Sequence, residues 1–241
     1  MGAVAEIQHL KKSFGTNHVL TDINFTIEKG ENLVVFGKSG SGKSVLIKCL
    51  VGLVEPDEGK VELIGENILE LKDDSLNTLR KKIGFLFQGA ALYDSMTVRE
   101  NLEFPLRGSK SQTQEEIDEI VLEALGNVGL VEAIDKMPSE LSGGMRKRIG
   151  LARAIILKPE IIFYDEPTTG LDTITAKEIS QLILNIQKKY NTSSIIITHD
   201  VECARMTANK MIVLKNGTSA ASGTFKELEA SKDEWVSAFF K

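Results

Sequence analysis

The stretch from Asn32 to Leu50, NLVVFGKSGSGKSVLIKCL, decides the fold of this chain. It opens with an apolar run, Asn32 to Phe36, which predicts a buried strand. It closes with Val45 to Leu50, which predicts the start of an apolar helix. Between them, residues 37–44 read GKSGSGKS and match GxxxxGK[ST] in the strand–loop–helix context that a phosphate-binding loop requires.

The residue types of this loop suit an anion. Glycines allow successive backbone N–H groups to converge on one phosphate, and the helix N-terminus adds partial positive charge. We expect Lys43 to reach the β- and γ-phosphates and Ser44 to place its hydroxyl on Mg²⁺. A Gly/Ser loop with a solvated lysine is the alternative, which the flanking strand and helix disfavour. The predicted nucleotide contacts are Gly37, Ser39, Gly40, Ser41, Gly42, Lys43 and Ser44.

Composition narrows the class of partner. A hydrophobic share of 42% with 26% charged residues is ordinary for a globular protein. The net charge of -5 argues against nucleic acid and against a polybasic grip on lipid. Two cysteines, Cys49 and Cys203, lie far apart, which favours a reduced, cytoplasmic compartment. No signal peptide or apolar run of ~20 residues is evident, so we expect the chain to reach a membrane only through a partner.

Two further predicted strands end in polar side chains. Ile161 to Tyr164 runs into Asp165 and Glu166, a pair that suits a division of labour in which Asp165 holds Mg²⁺ and Glu166 orients or deprotonates the attacking water. Ser194 to Thr198 delivers His199. A lone histidine often has a local structural role, but the end of a parallel strand places this one to meet a γ-phosphate.

The segment LSGGMRKRIGLARAI, from Leu141 to Ile155, predicts a second helix N-terminus suited to an anion. Ser142 and two glycines lie just ahead of its basic first turns. The alternative is that Ser142 is an ordinary N-cap and the basic residues a solvated face. Those basic residues are Arg146, Lys147 and Arg148.

An aromatic residue, Phe14, lies between two predicted strands, Ala5 to Leu10 and Val19 to Ile27. Its position a short way upstream of the phosphate loop would let its ring stack on a base, and stacking tolerates any base. A core position is the alternative, and the residues alone leave both open.

In this order, these motifs resemble those of the ATP-binding subunits of ABC transporters, over almost the whole chain. The resemblance implies an α/β fold: a P-loop (RecA-like) nucleotide-binding core with an antiparallel β subdomain and an inserted helical subdomain. It implies one domain, with the core at residues 1–88 and 158–241 and the helical subdomain at 89–157. It also implies an ATPase that uses ATP and Mg²⁺.

Particular residues match the family's motifs. Phe14 looks like the adenine-stacking aromatic, although the family more often has Tyr there. Gln88 is similar to the glutamine that touches Mg²⁺ and senses the membrane subunit. The implied contacts to the γ-phosphate of the opposite subunit are Ser142, Gly143 and Gly144, and Asp172 matches the loop that bridges the subunits. The implied catalytic residues are Glu166, His199 and Lys43, and the implied metal-site residues are Ser44, Gln88 and Asp165.

One departure points to a subgroup. Met145 stands where the commonest signature has Gln, and a thioether cannot donate a hydrogen bond. LSGGM, with LFQGAALYDSMTVRENLEFPL from Leu86 to Leu106, is similar to the ATPases of the Mla and Mce phospholipid-trafficking systems. The alternatives are the ATPase of another solute transporter and a regulatory ABC ATPase of the cell-division type.

The resemblance also implies partners. They are integral-membrane permease subunits, a second copy of the chain in a head-to-tail homodimer, and an Mce-type lipid-binding protein. The chain is then expected to lie on the inner face of the cytoplasmic membrane through its permease. We expect the groove around Gln88 to Pro105 to dock a permease helix, with Tyr93 and Met96 as exposed contacts.

Overall fold

The computed structural model describes residues 2–108 and 112–240. Within these ranges ten strands form one sheet: β1 (Ala3–Phe14), β2 (Asn17–Glu28), β3 (Asn32–Phe36), β4 (Glu58–Leu63), β5 (Glu66–Asn67), β6 (Ile83–Leu86), β7 (Ile161–Asp165), β8 (Ser193–Thr198), β9 (Lys210–Lys215) and β10 (Thr218–Gly223). The α-helices over the same residues are α1 (Lys43–Leu50), α2 (Asp73–Arg80), α3 (Val98–Glu103), α4 (Gln114–Val128), α5 (Gly143–Ile155), α6 (Thr173–Tyr190), α7 (Val201–Thr207), α8 (Phe225–Glu229) and α9 (Glu234–Ser237).

The strand order is β5-β4-β1-β2-β10-β9-β3-β8-β7-β6. Strands β9, β3, β8, β7 and β6 run parallel to one another, whereas β1, β2, β4 and β5 pair antiparallel. Phe36 pairs with Thr198, and Asp165 pairs with Ile197, so the carboxyl ends of β3, β8 and β7 meet at one edge. This arrangement confirms the predicted α/β class with its antiparallel β part.

Strand β3 is buried along its whole length, as a central parallel strand should be. Its side chains alternate between the two faces of the sheet. Leu33 and Val35 join the apolar cluster that includes α1, whereas Val34 and Phe36 join the cluster that includes α4, α5 and α6. The phosphate loop therefore leaves from a fully buried strand of the sheet.

The chain between β6 and β7 carries helices. Thr97 and Thr113 start α3 and α4 with capping boxes, each with a glutamate three residues on. Helix α5 packs closely on β6, because a Cβ at Gly150 would lie 2.9 Å from Leu86 Cδ1. The division into core and helical subdomain at residues 89–157 stays a prediction.

Capping and strand pairing set several element boundaries. Helix α6 begins at Thr173, because the Asp172 side chain accepts hydrogen bonds from the first-turn N–H groups. Strand β1 continues as far as Phe14. Asn216 and Gly217 form the hairpin turn between β9 and β10: both residues have positive φ, and Lys215 pairs with Thr218.

The chain's end returns to the phosphate-loop side of the sheet. The Phe239 ring meets Phe36 edge-on at 5.5 Å between centroids, and Phe240 stacks on Phe36 at 5.9 Å. Trp235 in turn meets Phe239 at 4.8 Å. Among the described residues no helix is both long and apolar enough to cross a membrane.

Candidate nucleotide site

A cavity of about 670 Å³ lies at the carboxyl edge of the parallel strands. Most of the residues predicted from the sequence to bind or hydrolyse nucleotide lie together in this cavity. Those on its wall are Gly37, Ser39, Gly40, Gly42, Lys43, Ser44, Gln88, Glu166 and His199. Ser41 lies instead on an adjoining groove, and its buried hydroxyl has no hydrogen-bond partner among the described residues.

The loop needs its glycines for two different reasons. Gly40 and Gly42 have φ of 80° and 99°, a region that side chains rarely adopt. Space is also tight at Gly42, where a Cβ would lie 3.0 Å from the Val19 carbonyl oxygen. Helix α1 then begins at Lys43, so its unpaired N–H groups face the cavity.

Lys43 is 6% exposed, and its ammonium lies within the loop. Its Nζ donates to the carbonyl oxygens of Gly37, at 2.7 Å, and Lys38, at 3.1 Å. The same atom lies 3.8 Å from Glu166 Oε1. Burial lowers the pKa of Lys43, and the negative charges of Glu166 and Asp165 oppose that shift. The cation is thus held directly between the phosphate loop and the end of β7.

Both the backbone N–H and the carboxylate of Glu166 make hydrogen bonds. Its N–H donates to the Ile197 carbonyl at 2.8 Å, and its Oε2 lies 2.8 Å from His199 Nδ1. The Thr169 hydroxyl donates to the same carboxylate at 3.0 Å. Its φ is 50°, and such backbone strain costs about 1–3 kcal/mol in a non-glycine residue. The contacts with His199 and Thr169 hold the carboxylate at the wall of the cavity.

Asp165 fits a role at a metal ion. Its Oδ1 is buried and has no hydrogen-bond partner among the described residues. Burial and the neighbouring Glu166 charge raise the pKa of Asp165, while the Lys147 and Lys43 cations oppose the shift. An orphaned carboxylate oxygen, with Ser44 and Gln88 on the nearby cavity wall, suits the oxygen ligands that Mg²⁺ takes.

Two features of this region were missed from the sequence. Lys147 is only 5% exposed, so the solvated-face alternative is wrong for that residue. Helical spacing was a usable signal, because Lys147 lies four and eight residues before the buried Leu151 and Ile155. Ala238 and Phe239 also line the cavity, and no local pattern marks them, since only the tertiary fold brings the tail there.

A second, separate groove holds the other predicted contacts: Ser142, Gly143, Gly144 and Asp172. Its described lining shares no residue with the nucleotide cavity. Ser142 is the N-cap of α5, accepting from Met145 N at 3.2 Å. Asp172 caps α6 and accepts from Thr175 Oγ1 at 2.7 Å, and hydrogen bonds from Thr175 and Ile174 lower the pKa of Asp172. One chain therefore keeps these residues apart from the phosphate loop.

Phe14 lies at the end of β1 with 52% of its surface exposed. Lys12 Nζ lies over its ring at 5.4 Å from the centroid. The cavity wall contains Val19 from the next strand rather than Phe14. Base stacking by Phe14 stays a prediction.

Fold and site together define a nucleotide-binding cassette, and comparison with known proteins gives its family. The chain belongs to the ABC transporter family, whose model matches residues 20–169. That match confirms the family indicated by the motifs.

Relatives place the chain among ATP-binding subunits. It is 42% identical over 214 residues to the Mycobacterium tuberculosis protein named "Probable ribonucleotide transport ATP-binding protein mkl". That match covers 89% of this chain and 60% of the relative's length. It is 36% identical over 236 residues to the Haemophilus influenzae "Intermembrane phospholipid transport system ATP-binding protein MlaF", covering 98% of this chain and 89% of MlaF.

A solved structure confirms the fold. The dimeric ATP-binding cassette MJ0796, in a post-hydrolysis state bound to ADP and Pi, aligns with a TM-score of 0.84 and 32% identity. The alignment covers 92% of this chain and 98% of MJ0796.

Proposed function

We propose that this chain hydrolyses ATP and thereby powers the permease of an ABC transporter. The observation that carries the proposal is the convergence of Lys43, Glu166 and His199 on one cavity at the phosphate-loop edge of the sheet. Each residue comes from a different strand end or helix start, so the fold, rather than local sequence, assembles the group.

The geometry suggests how the work is divided. The loop N–H groups and Lys43 bind the phosphates and stabilise charge on the transferring phosphoryl group. Glu166, aimed by its contacts with His199 and Thr169, orients and deprotonates the attacking water. Asp165, Ser44 and Gln88 would hold Mg²⁺, which neutralises phosphate charge when bound.

A matched pair of variants tests hydrolysis. Lys43→Ala should lose productive ATP binding, whereas Glu166→Gln should keep binding and lose about 10²–10⁴-fold in turnover. The control is Lys48→Ala, which removes an exposed lysine from the same helix. Phosphate release and equilibrium nucleotide binding are measured on each purified chain. Near-normal turnover by Glu166→Gln would end the assignment.

The two separate grooves support a composite site between two copies of the chain. The signature residues Ser142 to Gly144 line a groove of their own, so they would meet a bound nucleotide only from a second chain. MJ0796, which is dimeric, shares the fold. We therefore propose the head-to-tail homodimer.

The permease contact is proposed at an apolar groove beside Gln88. Exposed aromatic rings line it: Phe87, Tyr93 and Phe104 are 38%, 45% and 41% exposed. Tyr93 and Phe104 pack together at 4.8 Å between centroids. Met96, the other residue expected there, does not line the groove. Such a patch suits an apolar helix from the membrane subunit, which would hold this chain at the cytoplasmic face.

The cargo we propose is phospholipid, moved with an Mce-type lipid-binding partner. MlaF, a phospholipid-system ATP-binding protein by name, matches over nearly the whole of this chain. The Met145 signature supports the same subgroup. A second candidate is another solute, because the mkl relative carries a ribonucleotide-transport name.

One reconstitution tests both docking and cargo. Tyr93→Glu with Phe104→Glu should spare ATP binding by the isolated chain but abolish co-purification with the permease and phospholipid transfer between vesicles. Leu122→Glu, at an exposed leucine on α4 away from the groove, is the control. Retained co-purification by the double variant would rule out this docking surface. A wild-type complex that moves a soluble solute and no lipid would overturn the cargo alone.

A further inference from the structure

Lys147 is a buried cation with an unusual partner. Its Nζ donates to the backbone carbonyl oxygen of Glu166 at 3.0 Å, in a fully buried contact. Among the described residues no carboxylate oxygen lies within ion-pair distance, 4.0 Å, of this ammonium. Burying a charge is costly unless it is well bonded, so this carbonyl contact calls for an explanation.

That carbonyl belongs to the strained residue of the site. Glu166 has φ of 50° and is followed by Pro167, whose ring restricts the conformation of the residue before it. Its carbonyl oxygen also accepts from Thr169 N at 3.3 Å, a longer bond than that from Lys147. The Lys147 ammonium thus makes the shorter of two hydrogen bonds to the carbonyl of the Glu166–Pro167 peptide group, whereas the Glu166 N–H is held by Ile197.

The Glu166 carbonyl and side chain leave the same Cα. A shift of the carbonyl that displaced this Cα would also move the carboxylate, whose Oε2 lies 2.8 Å from His199 Nδ1. Lys147 comes from α5, the helix whose N-cap is Ser142. The same rigid helix therefore carries both the signature and the donor that orients Glu166.

We propose that Lys147 is a positioning residue that aims the Glu166 carboxylate and couples its direction to the position of the signature helix. The proposal rests on the proposed ATP hydrolysis. A purely electrostatic role, in which Lys147 offsets the charges of Asp165 and Glu166, would require the ammonium charge but no particular donor geometry.

Substitutions separate these roles. Lys147→Met keeps the length of the stem but removes the donor, and Lys147→Gln keeps an uncharged N–H donor. We expect Lys147→Met to lower kcat about 10–100-fold, the scale of an ångström-sized displacement, with KM for ATP within about threefold. Lys147→Gln should recover much of that loss. Equal losses in the Gln and Met variants would favour the charge role, and a normal kcat in Lys147→Met would overturn both.

A double-mutant cycle asks whether Lys147 acts through Glu166. In the Glu166→Gln background, Lys147→Met should leave the residual turnover within about twofold. Full additivity of the two losses would overturn the proposal. The control is Lys48→Met, which removes an exposed cation whose charge acts on Asp165 without any contact to Glu166, and it should leave kcat unchanged.

A structural readout separates failure of this inference from failure of the proposed function. In a crystal structure of Lys147→Met, the Glu166 peptide should rotate and the carboxylate should leave His199. That result holds whether or not the chain hydrolyses ATP. An unchanged Glu166 in a folded Lys147→Met variant would overturn the proposal, even if the wild-type chain proved to be an active ATPase.

Discussion

At the scale of single residues, Asp165 lowers the stability of the folded chain at neutral pH, and its proposed chemistry requires the same ionised carboxylate. Asp165 is a partly buried carboxylate with an orphaned oxygen, and its pKa is raised mainly by burial. Its folded pKa therefore exceeds its unfolded pKa. The stability associated with the protonated form is present at low pH and is lost as pH rises through the folded value. The ionised carboxylate that the proposed Mg²⁺ role requires thus costs stability at neutral pH.

Asp165→Asn should therefore stabilise the chain at pH 7 while abolishing Mg²⁺-dependent turnover. The gain should be on the order of 1 kcal/mol, the scale of one desolvated polar group. It should vanish below about pH 4, the ordinary range of an aspartate, because the wild-type carboxyl is then neutral in both states. Urea unfolding across a pH series measures it. The exposed Asp94→Asn is the control, and a gain that did not grow with pH would contradict the argument.

At the scale of elements, the signature helix and α6 pack closely enough to require a glycine. A Cβ at Gly144 would lie 2.6 Å from Thr175 Cγ2, a distance that real side chains do not tolerate. At Gly143 the nearest atom, Leu171 Cδ2, would lie 3.8 Å away, which is ordinary contact. The two adjacent glycines therefore differ: packing alone explains Gly144, but not Gly143.

Gly144→Ala should lower the free energy of unfolding by about 1–3 kcal/mol, as overpacked sites do. Thr175→Ser removes the obstructing methyl and keeps the hydroxyl that donates to Asp172, so it should restore most of the loss in the double variant. Gly143→Ala should cost no stability. Denaturant unfolding of the wild type, Gly144→Ala, Thr175→Ser and the double variant gives the coupling energy. A loss in Gly144→Ala that Thr175→Ser did not relieve would refute the packing account.

The C-terminal tail is the second element-scale case. Phe239 lines the nucleotide cavity, whereas Phe240 packs behind it, stacked on Phe36 and edge-on to Phe225 at 5.1 Å. We expect Phe239→Ala to weaken ATP binding about threefold or more and Phe240→Ala to leave it unchanged. Each should cost about 2 kcal/mol of stability, part of the loss at a fully buried Phe. Equilibrium nucleotide titrations decide it, and equal effects on binding would place Phe239 outside the site.

At the scale of the whole molecule, the described lining of one groove carries the phosphate loop and that of another carries the signature. If hydrolysis needs both, two chains must meet head to tail, with the groove of each facing the cavity of the other. An isolated chain would bind nucleotide but could not complete the site.

Mixing Lys43→Ala and Ser142→Arg chains should therefore recover part of the turnover that each lacks alone, because some mixed dimers have one intact site and one doubly damaged site. Glu166→Gln should form a dimer with ATP, measured by light scattering, and Ser142→Arg in that background should not. Chains carrying both Lys43→Ala and Ser142→Arg give the control, since they cannot complement. Absence of recovery together with an ATP-independent monomer would refute the shared site.

The sequence by itself determined the strand–loop–helix at Asn32 to Leu50, the α/β class and the family. These features are local: glycines at positive φ, a cap at Ser142 and apolar periodicity each act over a few residues. The catalytic candidates at strand ends were also predictable, because parallel strands bring their carboxyl ends to one edge of a sheet.

Only the tertiary structure decided the contacts between segments far apart in the chain. Lys147 reaches the Glu166 carbonyl from another element, and Phe239 reaches the cavity from the end of the chain. Phe14 is the opposite case: it lies near the phosphate loop in sequence, but it does not line the cavity. Such contacts depend on how the helices pack against the sheet. Packing brings together residues that are far apart in sequence, and no periodic pattern in the sequence marks such pairs.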